Sequence, residues 1–220
     1  MRLSRPRLPT EKLFDKWLPD WCVALGECDA PRLPGNPKRR IARKRATHQT
    51  LRYGIMHMTE LVLVQAQKAD IPAIQDVAAE SWRATYGHIF QPDFIDQFLA
   101  RAYSAEALRH SITSERTLFL VAKEDEQVVG FSEVGESQPN AEFVLFRIYL
   151  LPAYWGRGIG GRLLERAEKW LRERGATGYC CHVHSQNEVG KAFYQKAGFV
   201  HLPERDREDE WYMWKPLEAP

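Results

Sequence analysis

Residues 58–220 predict an α+β domain in three layers, a sheet with helices on both flanks. Three features carry that expectation. Apolar residues recur at helical spacing through residues 71–112. The spacing then shortens to strand-like runs through residues 117–151, and beyond them helical and strand-like stretches alternate as far as residue 217. No internal repeat interrupts this order.

The elements follow in turn. Leu61 to Val64 is an apolar run of strand length, and a helix start signal comes next: Asp70 stands at the capping position and Pro72 in the first turn. Ile71, Ile74, Val77, Ala78 and Trp82 then recur on one helix face. A second helical stretch, Gln91 to Arg101, carries Phe94, Ile95, Phe98 and Leu99, and a third covers Ala105 to Ile112. Thr117 to Lys123 and Gln127 to Val134 read as strands joined by the charged turn Glu124-Asp125-Glu126, a hairpin signal, and Phe143 to Leu151 as the next strand. Leu163, Leu164, Ala167, Trp170 and Leu171 line a helix ending at Gly175, with Glu165–Lys169 and Glu168–Arg172 expected on its other face. A strand (Gly178 to His184), a helix (Asn187 to Lys196, closed by Gly198) and a last strand (Trp211 to Leu217) complete the series.

Composition narrows the class. The 220 residues carry 31 basic and 29 acidic side chains, a net +2, but the charge is split. Residues 1–57 hold 13 basic and 5 acidic side chains (+8), whereas residues 58–220 hold 18 and 24 (−6). The first segment has six prolines and the basic run Lys38-Arg39-Arg40-Ile41-Ala42-Arg43-Lys44-Arg45, with one expected helix, Leu13 to Leu25. It offers little apolar surface to offset the entropy of ordering and reads as a mobile extension ahead of a domain that starts at Met58. No apolar run reaches the roughly 20 residues that span a bilayer. No apolar segment follows the N-terminal arginines as a secretion signal would require. Cys22, Cys28, Cys180 and Cys181 are too few for a disulfide framework, so the expectation is four reduced thiols in a cytoplasmic protein with no membrane association.

The segment Leu151-Pro152-Ala153-Tyr154-Trp155-Gly156-Arg157-Gly158-Ile159-Gly160-Gly161-Arg162 runs from a strand, through a loop with four glycines in six residues, into an amphipathic helix. Such a loop turns several backbone N–H groups onto one anion, and the helix dipole adds to them. Gly160-Gly161-Arg162 does not end as a Walker loop does, and the preceding meander does not open a dinucleotide-binding unit. About 30 residues on stands Asn187-Glu188-Val189-Gly190-Lys191-Ala192-Phe193-Tyr194-Gln195-Lys196-Ala197-Gly198-Phe199.

Together the two segments resemble the GNAT superfamily of N-acetyltransferases over roughly Leu61 to Leu217. That family's pattern is a strand, a proline, a (Gln/Arg)-x-x-Gly-x-(Gly/Ala) loop, a helix, and an Asn followed by Tyr-x-x-x-Gly-Phe. The resemblance implies a mixed, mostly antiparallel sheet, splayed between the strands Phe143 to Leu151 and Gly178 to His184 to admit acetyl-CoA. Its pantetheine arm would pair with backbone at Tyr149 and Leu150, its pyrophosphate would rest on Arg157, Gly158, Ile159, Gly160 and Gly161, and Asn187 would contact it while capping the last helix. Tyr194 falls at the general-acid position, and a backbone N–H near Leu150 is the family's usual oxyanion donor. One position departs from the pattern, since its leading Gln or Arg is Trp155 here.

Direct acetyl transfer to an amine also needs a base. Ribosomal-protein alanine acetyltransferases carry a Glu five residues before the Asn, and that position here is His182, whose imidazole accepts a proton near neutral pH. Glu133 and Glu142 are the carboxylate alternatives, each also readable as a surface charge. His182 and His184 share a strand face but lack a third ligand at suitable spacing, so no metal is expected. The acceptor pocket is expected at Glu80, Trp82 and Tyr86 and at the acidic stretch Glu204 to Glu210, with a core role for Trp82 equally open. The likeness to polyamine acetyltransferases is diffuse. A small-molecule amine or a protein N-terminal amine is the expected acceptor, and a homodimer is compatible with the family. Two other classes stand beside the enzyme: a non-catalytic acyl-CoA-binding module, and nucleic-acid or partner binding through the basic N-terminal run.

Overall fold

The computed structural model describes residues 60–138 and 141–218. The expected helix Leu13 to Leu25, the basic run, the mobility of residues 1–57 and the domain start at Met58 lie outside the described residues. Strand β1 (Leu61–Gln65) leads to helices α1 (Ile71–Tyr86), α2 (Pro92–Ala102) and α3 (Ala105–Thr113). A meander of β2 (Thr117–Glu124), β3 (Gln127–Ser137) and β4 (Glu142–Leu150) follows. Then come α4 (Ile159–Arg172), β5 (Gly178–His184), α5 (Glu188–Lys196), β6 (Val200–His201) and β7 (Glu210–Pro216). The strands form one sheet in the order β1-β2-β3-β4-β5-β7-β6, and only β4 and β5 pair in parallel. The mixed, mostly antiparallel α+β architecture is therefore present. The two-residue β6, paired with Met213 and Trp214, is an addition too short to leave a periodic signature.

Strand alternation assigns the two faces. Phe119, Val121 and Phe131 pack with Ile74, Val77, Trp82, Ile95 and Leu108 under α1–α3. Leu120 and Ala122 pack on the opposite face with Ile159 and Leu163 of α4, and Val129 joins them because a β-bulge, where Ala122 and Lys123 pair with Gly130 and Val128, shifts the alternation ahead of Phe131. A third cluster joins Leu164, Ala167 and Leu171 of α4 to Cys181 and Val183 of β5, Tyr194 of α5 and Met213 of β7. The β2–β3 turn holds Asp125 and Glu126 at positive φ (48° and 66°), the two-residue hairpin geometry that matches strand twist. Asp70 does not cap α1 with its side chain; its carboxylate accepts from the Gln67 N–H (2.8 Å) and pairs with Lys123 (2.8 Å).

Two charges expected outside are inside. Glu168 is buried, accepting from the Tyr179 hydroxyl (2.8 Å) and Lys215 Nζ (2.6 Å) while Arg172 stands 3.4 Å away. Glu133 is 0% exposed and pairs with Arg147 Nε at 2.7 Å, because it shares the helix-covered face with Phe131 and sits opposite Arg147 in the β3–β4 register.

The position of the site follows from one irregularity. Among the described residues, β4 and β5 meet at a single register pair, Val144 with Cys180. Beyond it the strands diverge toward Leu150 and His184, and both sides of the gap line one cleft.

Candidate active site

At the mouth of the gap, Pro152–Tyr154 form a short 3-10 turn after β4, and the chain reaches α4 through Gly156 and Gly158. Gly158 is the N-cap of α4 at φ 79°, in the left-handed region where a side chain is strained, and no side chain caps the helix. The first N–H groups of α4 thus have no intrahelical partner. Gly160 is held close to α5: a Cβ there would stand 2.8 Å from the Phe193 ring. Gly158, Ile159, Gly160 and Gly161 line the cleft, as expected. Arg157 does not: its guanidinium turns away to Glu124 (2.6 Å) and over the Tyr154 ring (4.5 Å).

The wall formed by β4 exposes a strand edge. Leu151 N–H donates to the Val129 carbonyl (2.9 Å), so by antiparallel alternation the N–H and C=O of the preceding residue, Leu150, point away from β3 and into the gap. The carbonyl is occupied, accepting from Ser81 Oγ (2.8 Å) and Trp155 Nε1 (2.9 Å). The amide faces the cleft. Tyr149 lines the same wall, its hydroxyl pKa pushed well above the ordinary phenol value by burial and then by the nearby Tyr86 and Tyr103.

The opposite wall is α5. Asn187 caps it, Oδ1 accepting from Gly190 N–H (2.8 Å), an arrangement worth about 1 kcal/mol. Its Nδ2 donates to the Tyr86 hydroxyl (3.2 Å), so this side chain ties α5 to α1 across the gap. The Tyr86 pKa is pushed up to about 12, mainly by burial. About two turns further on, Tyr194 also lines the cleft; its ring meets Phe193 and Phe199 (5.3 Å each) and no described residue hydrogen-bonds its hydroxyl. Burial pushes its pKa well above the usual phenol value, so the group stays protonated and able to donate.

His182 stands in the wall on β5. It shares a strand face with His184, whose ring meets Phe90 after α1 (5.3 Å), whereas Cys181 and Val183 join Tyr194 on the other face. His182 and Tyr194 therefore enter the gap from opposite sides of the sheet. Glu133 and Glu142 do not line the cleft. Glu142 accepts from Tyr212 (2.5 Å) and Arg205 (3.0 Å). Burial alone would raise its pKa, but those two donors outweigh it and hold the carboxyl below its ordinary range.

The cleft between these walls encloses about 490 Å³. It combines a backbone anion cradle, an exposed strand edge, a protonated phenol and an imidazole. Residues 72–199 match the Acetyltransferase (GNAT) family. The chain is a GNAT acetyltransferase. It is 37% identical over 134 residues to a spermidine N(1)-acetyltransferase of Thermoplasma acidophilum, covering 59% of this chain and 82% of that protein. A crystal structure of the PaiA N-acetyltransferase of the same organism, in complex with coenzyme A, superposes with a TM-score of 0.67 at 32% identity, over 71% of this chain and 99% of that one. The ribosomal-protein-S18-alanine N-acetyltransferase of Escherichia coli shares the fold, with a TM-score of 0.54 at 21% identity over 73% and 96% of the two chains.

Within this GNAT domain several cleft residues were not singled out from the sequence. Ser81, Thr85 and Arg147 belong to the wall, and Trp155, noted as a departure, supplies the indole that holds the Leu150 carbonyl. Ser81 and Thr85 lie four apart on α1, a spacing that marks one helix face but not which face meets the gap. Trp82 packs in the core, 2% exposed and 4.2 Å from the Phe98 ring, and Glu80 points to solvent. Of Glu80, Trp82 and Tyr86, the three residues expected at an acceptor pocket, only Tyr86 lines the cleft. Among the described residues no helix is long and apolar enough to cross a membrane, and no cluster of three or more His, Cys, Asp or Glu could hold a metal ion.

Proposed function

We propose that residues 58–220 form the catalytic domain of an N-acetyltransferase that moves an acetyl group directly to a cationic primary amine, a polyamine being the favoured acceptor. The observation that carries this reading is the meeting of Tyr194 and His182 from opposite faces in the gap between β4 and β5. Acetyl-CoA is the co-substrate and supplies the acetyl group as a thioester. The residues fit it: uncapped N–H groups of α4 for the pyrophosphate, and for the amide-bearing arm the outward edge of β4, which by alternation is Ile148 and Leu150, whereas the Tyr149 backbone is turned to Phe131 of β3. Arg157 contributes through its backbone, since its side chain is engaged by Glu124.

The ammonium form of the reacting amine first loses one proton to solvent, which frees the lone pair, and His182 takes the second as the nitrogen bonds to the acetyl carbon. The Leu150 N–H donates to the carbonyl oxygen while negative charge builds there, and Ser81 and Trp155 fix that peptide by holding its carbonyl. Tyr194 gives its proton to the departing sulfur as the carbon–sulfur bond breaks. Asn187 sets the Tyr86 hydroxyl and the start of α5 rather than holding a proton. The likeness to the spermidine N(1)-acetyltransferase supports a polyamine acceptor, as does the net charge of −6 on residues 58–220.

Thiol release from acetyl-CoA, followed with spermidine, an alanine-ended peptide and a neutral alcohol as acceptors, tests the proposal. Saturable release with spermidine, with the acetylated amine found by mass spectrometry, is expected. Release with none of the amines would leave the non-catalytic acyl-CoA-binding reading in its place.

A further inference from the structure

We propose that Glu210 is a positioning residue for His182, a carboxylate supplied by β7 that orients the imidazole on β5. This rests on the base role assigned to His182 above. The sheet register makes the pair. His184 lies opposite Glu210 and His182 opposite Tyr212, so Glu210 is the diagonal neighbour of His182 on the same face, within reach of a long side chain.

The side chains use that reach. His182 Nδ1 stands 4.0 Å from Glu210 Oε2, and Nδ1 is sealed from solvent, which leaves Nε2 as the ring nitrogen available to the cleft. Glu210 is 7% exposed and does not line the cleft; it stands behind the histidine. The tight turn that ends in the Glu210 N–H to Arg207 carbonyl bond (2.7 Å) fixes its backbone, and the Tyr212 ring packs edge-on against the imidazole (5.4 Å). A base–orienter contact of this length commonly tightens when substrate arrives. A carboxylate on Nδ1 selects the tautomer whose Nε2 accepts a proton, and it stabilises the imidazolium formed when the amine gives one up.

The other charged and titratable groups around His182 do not duplicate this part. Asp206, on the loop before β7, is taken by His201 (2.9 Å) and the Tyr212 N–H (2.8 Å). Arg147 on β4 is paired with Glu133. Tyr212, Tyr86, Tyr149 and Tyr194 all have pKa values above the ordinary phenol value, so none is ionised near neutral pH. His184, on the same strand, receives the Gln186 N–H on its Nδ1 (3.1 Å).

The test measures kcat/KM against pH for the full-length wild type, His182→Gln, Glu210→Gln, Glu210→Asp and the double Gln variant, using the acceptor found active. Expected are a fall in kcat of about 10²-fold and loss of the acidic limb in His182→Gln. Glu210→Gln should lower kcat by about tenfold, with KM for acetyl-CoA unchanged, and move the acidic limb down by about one pH unit, because the protonated imidazole loses its counter-charge. The double variant should be no worse than His182→Gln, and Glu210→Asp, which keeps the charge, should restore much of the limb's position. An acidic limb that persists in His182→Gln overturns the base role and the pairing with it. A limb lost in His182→Gln but unmoved in both Glu210 variants leaves the base in place and overturns the positioning role alone. Multiplicative losses in the double variant do the same. Should Glu210→Gln fail to fold, the ¹⁵N shifts of the His182 ring in the wild type decide: a proton held on Nδ1 supports the pairing, and a neutral ring with its proton on Nε2 overturns it.

Discussion

The Tyr194 phenol illustrates how burial and chemistry coincide in one side chain. Packing against Phe193 and Phe199 desolvates it, and the raised pKa keeps the proton in place near neutral pH. Replacing Tyr194 by Phe removes the proton but little of the packing. Steady-state kinetics should show kcat lower by about 10²- to 10⁴-fold, with the melting temperature and KM for acetyl-CoA near wild type. A variant as active as wild type would remove Tyr194 from the chemistry. The cleft positions of Tyr194, Asn187 and the loop glycines were legible through the family resemblance, and for Asn187 and the glycines the residue type also follows from local backbone: a cap, a left-handed turn, a close helix approach. Glu210 and the Trp155 indole were not, because their partners lie 28 and 5 residues away across a strand pairing and a turn that no local pattern encodes.

Elements explain the buried ion pair. Glu133 on β3 and Arg147 on β4 face each other beneath α1–α3, and Arg147 also donates to the Ala102 carbonyl (3.3 Å) and lies over the Tyr103 ring (4.9 Å). This arrangement ties the end of α2 to the strand that forms the cleft wall. Arg147→Met keeps the bulk but leaves the Glu133 carboxylate uncompensated, and urea denaturation should show a loss of about 3–5 kcal/mol. A loss under about 1 kcal/mol would mean that the pair does not hold the β3–β4 layer. Strict alternation puts Glu133 on the same face as Phe131, although the sequence reading left it as a base candidate or a surface charge. What sequence alone does not encode is the compensation, which needs the register that sets Arg147 opposite. Glu168 was misplaced for a related reason: its i,i+4 partner Arg172 is real, but the stronger attachments come from Tyr179 and Lys215 on the sheet.

At the scale of the molecule, a single parallel contact between two antiparallel blocks opens the sheet. The block β1–β4 carries the strand edge and the glycine loop, and the block β5–β7 carries the imidazole and its carboxylate. Helices α1–α3 cover one face and α4 the other, so an acceptor and acetyl-CoA can approach the gap from opposite sides. Element order and type were readable from periodicity, whereas the splay was implied only by family likeness, since the divergence of two strands depends on what fills the space between them. The central claim, that this gap with its glycine loop binds acetyl-CoA, is tested most directly by calorimetric titration of acetyl-CoA into the full-length protein and into a Gly158→Val/Gly160→Val variant. Saturable binding by the wild type is expected, with binding by the folded variant at least about tenfold weaker, because one substitution strains the loop and the other drives a side chain into Phe193. Equal affinity in the two proteins, or none in a folded wild type, would contradict it.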